Sequence, residues 1–165
     1  MNIFEGLQAA VNVHPLFVHF PIALLMIAGV LFIVCYFMDL PELRAAAKWN
    51  LILGSLSAIA AAVTGFIAAN SLPHNQEIHE AMLMHRNIMV PATLLSLALG
   101  GCLFFKKDLS LIHKQKVFLA GLILILGLLA VGADYGGKMV FKYGAGTELF
   151  KKLNAEEGVG HKHVD

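Results

Sequence analysis

Residues 16–37 read LFVHFPIALLMIAGVLFIVCYF, a run of 22 residues without one Asp, Glu, Lys or Arg. A helix rises about 1.5 Å per residue, so the run is long enough to cross a hydrocarbon core of about 30 Å. It shows no alternation of apolar and polar residues. In lipid its backbone groups must be satisfied within the segment, which requires a helix. The run stops at Asp39, and three more follow the same pattern. The second extends from Trp49 to Leu72 and stops at Pro73, and the third from His85 to Phe105, before Lys106 and Lys107. The fourth extends from Val117 to Ala133, where Asp134 appears. Short connections predict an all-α fold, an integral-membrane four-helix bundle running up-down-up-down with both termini on the same side. The division that follows is an N-terminal segment 1–13, a membrane domain 14–146 and a polar tail 147–165.

Composition agrees. Hydrophobic residues make up 58% and charged residues 14% of the chain, against about 45–50% and 25% in soluble domains. A net charge of +1 supplies no basic surface to neutralise phosphates, which argues against nucleic-acid binding. Cys35 and Cys102 both lie in apolar runs; they read as small hydrophobes, not as a disulfide framework. The opening MNIFEGLQAAVNV has no basic stretch ahead of a short apolar one, so no cleaved signal peptide is expected. Orientation follows from Lys and Arg near the span ends. Arg44 and Lys48 mark the first loop, and Lys106, Lys107, Lys114 and Lys116 the third. Those loops are expected in the cytoplasm of a bacterial inner membrane, with the termini periplasmic. Gly54, Ala58, Ala61, Gly65 and Ala69 form a small-residue stripe on the second span, the kind of surface on which helices pack closely in lipid.

The eight histidines are sorted by this topology. His14 and His19 open the first span, and His74, His79 and His85 lie between the second and third. Five imidazoles from neighbouring segments thus gather at one membrane face, while His113 lies at the other and His161 and His163 lie in the tail. His14 precedes Pro15, a natural first helical residue, which places His14 at the interface. His19 lies about 7 Å deeper and about 140° around the helix, so only one of the two can face inward. Ionisable residues at membrane depth usually face the bundle interior and mark a functional site. A b-type haem needs two neutral imidazoles from different helices, and depth favours His19 with His85, then His14 with His79. Asp134, and Asn87 beside His85, are placed to orient the ligand rings, Asp134 by accepting a ligand histidine's second N–H. No CxxCH is present for covalent haem. The stretch HEAMLMH, residues 79–85, also offers Met82 and Met84, and thioether with imidazole suits copper. It is not HExxH, which argues against a zinc protease.

HPLFVHFPIALL, residues 14–25, His85-Arg86-Asn87 and the closing GGKMVFKYGAG, residues 136–146, together resemble the domain of unknown function 2231 family of bacterial membrane proteins. The likeness runs from about Val13 to Gly146. It implies four membrane spans and, because such domains occur joined to Rieske-type or cytochrome c domains, electron transfer. Tyr143 stands where the family's ending usually has histidine, so a ligand at that position would be missing here. The reading that results is a haem b electron carrier rather than an enzyme. It would lie between a membrane donor such as a quinol and a periplasmic cytochrome c or Rieske-type acceptor. Copper or another transition metal is the alternative cofactor, and a structural subunit of a membrane complex the alternative role. Lipid is the expected surrounding, and homo-oligomerisation stays open.

Overall fold

The computed structural model describes residues 12–38, 40–71, 74–105 and 115–147. Four helices account for nearly all of them: α1 His14–Phe37, α2 Pro41–Ser71, α3 Gln76–Phe105 and α4 Lys116–Gly137. A π-helical turn, Lys138–Lys142, continues α4. All four helices are long and apolar enough to cross a membrane. Each packs on its sequence neighbour, and α4 closes the ring against α1 through the smallest of the four interfaces. The architecture is the expected up-down-up-down bundle.

Two helices start earlier than their apolar runs. Pro41 opens α2, its fixed φ suited to a first turn, and ELRAAAK behind it is rich in good helix formers. At α3 the side-chain oxygen of Asn75 accepts the Ile78 N–H at 3.0 Å, and the Asn75 carbonyl accepts that of His79 at 2.9 Å. That is an N-cap. Hydropathy located the lipid-crossing part of each helix, whereas the caps set the helix itself.

The interior is a column of Leu25, Ala28, Phe32, Leu51, Leu103, Phe118, Leu122, Ile125 and Leu129. Phe32 of α1 meets Phe118 of α4 edge to face, centroids 5.2 Å apart. Lipid tails are as apolar as leucine, so close backbone approach and interhelical hydrogen bonds must hold such a bundle together. The stripe on α2 serves that purpose. Gly54, Ala58 and Ala61 are buried, and a Cβ on Gly54 would lie 2.9 Å from the Leu25 side chain of α1. Ser55, buried on the same helix, donates to the Ser96 carbonyl of α3 at 2.8 Å and to its own Leu51 carbonyl at 2.7 Å. Gly100 leaves room for this contact: a Cβ there would be 3.0 Å from Ser55 Oγ. Outward faces carry Leu53, Leu56, Ile59, Val63 and Phe66 on α2, with their counterparts on the other helices.

Candidate functional site

α1 buries Pro21, Leu25, Ala28, Gly29 and Phe32. Steps of seven, four and three residues bring this stripe back to His14, which is half-buried, whereas His19 falls out of phase and is exposed. His14 therefore turns into the end of the bundle. Its Nδ1 lies 3.2 Å from Thr64 Oγ1 on α2. The Thr64 hydroxyl also lies 3.0 Å from each of the carbonyls of Ala60 and Ala61; with its proton on either of these, His14 Nδ1–H is the donor and Thr64 Oγ1 the acceptor. Gly65 makes the approach possible: a Cβ there would sit 3.0 Å from His14 Cε1.

His85 enters from α3 and is held in the same manner by α4. Its Nδ1 lies 2.7 Å from the Gly132 carbonyl. A carbonyl only accepts, so the proton is on Nδ1. The ring lies along Gly136, where a Cβ would be 3.4 Å from Cε1. A Cβ on Gly132 would collide with the Met89 sulfur, one turn further along α3. The two imidazoles meet edge to face with centroids 6.4 Å apart. In neutral rings whose Nδ1 carries the proton, Nε2 holds the lone pair. One ring is anchored within the α1–α2 pair, the other within α3–α4, and they face each other across the seam between the pairs.

This changes the expected constellation. His85 opposes His14, not His19, because the core stripe of α1 fixes the rotation of that helix. His79 does not join them; it stacks on His74 at the head of α3, with centroids 5.3 Å apart and rings 9° from parallel. Asn87 and Asp134 are exposed, and the acceptor for His85 is the Gly132 carbonyl rather than the Asp134 carboxylate. Met84 is exposed as well and lines a cleft of about 310 Å³ with Glu77, Glu80, Tyr135, Lys138 and Tyr143. His113, His161 and His163 lie outside the described residues. Among those described, no three or more His, Cys, Asp or Glu side chains converge as metal ligands.

The level of the pair in the membrane can be read from its neighbours. Arg86 and Asn87, next to His85, and Asp134, two residues past Gly132, all point outward. Charged groups facing hydrocarbon are costly, so this layer lies at the aqueous boundary, with the head of α3 above it. Thr64 and Gly132 are the site residues that the sequence did not single out. Gly65 stood in the small-residue stripe; a hydroxyl or a backbone carbonyl as a histidine's partner leaves no motif.

Residues 10–149 match the family described as predicted membrane protein DUF2231. The chain belongs to the DUF2231 family. Neither a curated protein nor a solved structure matches it. The family match covers all four helices of this DUF2231 protein, together with His14, Thr64, His85, Gly132 and the π-helical turn.

Proposed function

We propose that this DUF2231 protein is a membrane-bound electron carrier in which His14 and His85 would hold the iron of a haem b. The observation that carries the reading is the pair of imidazoles from α1 and α3, each with Nδ1 hydrogen-bonded to a partner on the adjacent helix. Metal-bound histidines are held that way, the second nitrogen fixing tautomer and ring orientation. Two imidazoles that held one metal through Nε2, each about 2 Å from it, would have centroids about 6 Å apart; here they are 6.4 Å apart with ring planes 81° to one another. A donor set of two also fits, since a porphyrin brings its own four nitrogens whereas zinc sites draw three or four ligands from the protein. The glycines at 65 and 136 let each ring lie close against the neighbouring helix, and a haem held by the pair would lie in the seam between the helix pairs. Bound there, the haem would supply one-electron transfer. The protein's own share is to hold both imidazoles neutral and to keep the pair near the aqueous boundary, within reach of a quinol and of a soluble redox partner. The histidine end is assigned to the periplasmic side of a bacterial inner membrane, opposite Arg44 and Lys48.

The test is a reduced-minus-oxidised spectrum of protein purified from haem-replete cells. A redox-sensitive Soret band is expected, lost in His14→Ala and His85→Ala and kept in His19→Ala. A spectrum without haem, or haem retained in the His14→Ala/His85→Ala double variant, sinks the assignment. Copper(I) remains the second reading because of Met89, whose sulfur lies against Gly132 one turn from His85 and is the kind of soft donor copper selects. Metal analysis of the same preparation separates the two, with Met89→Leu lowering copper content only if copper is the native occupant.

A further inference from the structure

We propose that His74 and His79, at the water-facing head of α3, form a second and separate site that binds a late first-row divalent transition-metal ion such as Cu(II) or Zn(II). His74 Nε2 and His79 Nδ1 lie 3.3 Å apart. Two nitrogens bound to one ion at about 2.0–2.1 Å, with a near-tetrahedral angle between them, are about 3.3 Å apart; here they aim at each other in a hydrogen bond, so each ring must turn to bring its lone pair onto the ion. One proton now bridges the nitrogens. For both to ligate, the donor ring moves that proton to its other nitrogen, so a neutral pair loses none and no oxidant or reductant is involved.

The pair is held ready by the cap of α3. Asn75 lies between the histidines in sequence, and its side chain and carbonyl fix the N–H groups of Ile78 and His79. Ile78 is buried and anchors that first turn. Gln76 donates to Glu80 at 3.0 Å, which holds these longer side chains to one another. The open cleft beside the rings is about 240 Å³ and is lined by His74, Asn75, Gln76 and His79. It has room for the water molecules that complete a coordination sphere. Imidazole suits zinc, copper and nickel. Two protein ligands completed by water make a site that exchanges its ion, unlike the closed four-ligand sites that hold zinc for structure. His79 is six residues from His85, about 9 Å along α3, and no side chain is shared with the His14–His85 pair.

The experiment titrates full-length protein in detergent with Cu(II) and Zn(II) separately, in a His161→Ala/His163→Ala background that removes the tail imidazoles. Isothermal calorimetry at pH 7.5 is expected to show one ion bound per chain. His74→Gln and His79→Gln should each weaken it at least about tenfold, while His14→Gln leaves it unchanged. Thermal unfolding of the two head variants shows that they remain folded. Absence of binding in the parent overturns the proposal, as does binding that survives both head substitutions or is lost in His14→Gln. The haem spectrum is recorded on the same samples. Its disappearance in His14→Gln with metal binding intact supports both sites; an absent haem spectrum with metal binding intact removes only the first.

Discussion

At the scale of single residues, a helix phase outweighs a depth argument. His19 lies deeper in its apolar run than His14, and depth alone favoured it. The stripe Pro21, Leu25, Ala28 and Phe32 was nonetheless present in the sequence, and extending it backward reaches His14. The partner of His85 was not legible in the same way, because the acceptor on α4 is a backbone carbonyl that every residue carries. Thr64 gives the sharpest residue-scale test. Thr64→Val keeps the shape and removes the acceptor for His14 Nδ1–H, at a cost of about 1 kcal/mol of stability for the orphaned donor. With that bond gone, the His14 ring loses its orientation. If it ligates haem, the variant should show a shifted midpoint potential or weaker haem retention, and Thr64→Ser should restore the parent value. A variant with both properties unchanged would separate Thr64 from the site. Gly65→Ala tests the same ring from the other side. A methyl 3.0 Å from Cε1 must displace the imidazole, so this variant should retain less haem than the parent; equal retention by the two would show that the ring has slack.

Among the helices, the sequence located every membrane crossing but not where two of the helices begin. The apolar runs starting at Trp49 and His85 mark where lipid starts, whereas α2 and α3 start at Pro41 and Gln76. A hydropathy reading is blind to the extra turns because they are polar. The extension of α3 matters for function, since it lifts Glu77, His79 and Glu80 beyond the layer of the histidine pair. Its cap is open to measurement. Asn75→Ala removes the side-chain acceptor for the Ile78 N–H and should cost about 1 kcal/mol, seen as faster hydrogen exchange confined to the first turns of α3. Exchange that rises equally along the whole helix would mean that the cap supports the bundle rather than its end. Between α2 and α3 the expected weak point is Gly100. Gly100→Leu would drive a side chain into Ser55 and break its bond to the Ser96 carbonyl. Overpacking of this kind costs about 1–3 kcal/mol, and the midpoint of thermal unfolding in detergent should fall. Ser55→Ala, which removes the hydroxyl without adding bulk, should lower it less.

For the molecule as a whole, the polarity of the bundle ends ties the site to one side of the membrane. At one end Lys48 lies 5.8 Å from the Trp49 ring centroid, an interfacial anchor of the kind that aromatic and basic residues form. At the other are the histidine pair, the exposed Arg86, Asn87 and Asp134, and the capped head of α3. An odd number of crossings separates the two, so one measurement orients everything. Under the proposed function, the end that carries Arg44, Lys48, Lys106, Lys107, Lys114 and Lys116 is taken as cytoplasmic by the positive-inside rule, which would turn the proposed redox site outward. The check uses a chain freed of thiols by Cys35→Ala and Cys102→Ala. Single cysteines are then introduced as Asn75→Cys and Glu42→Cys, both at exposed positions. In intact spheroplasts a membrane-impermeant maleimide should label the first and leave the second untouched until the cells are lysed. The reverse pattern would put the histidine pair on the cytoplasmic face and exclude a periplasmic electron acceptor. Labelling of both before lysis would mean two orientations in one population, as expected where Lys138 and Lys142 at the far end of α4 compete with the basic residues of the first loop.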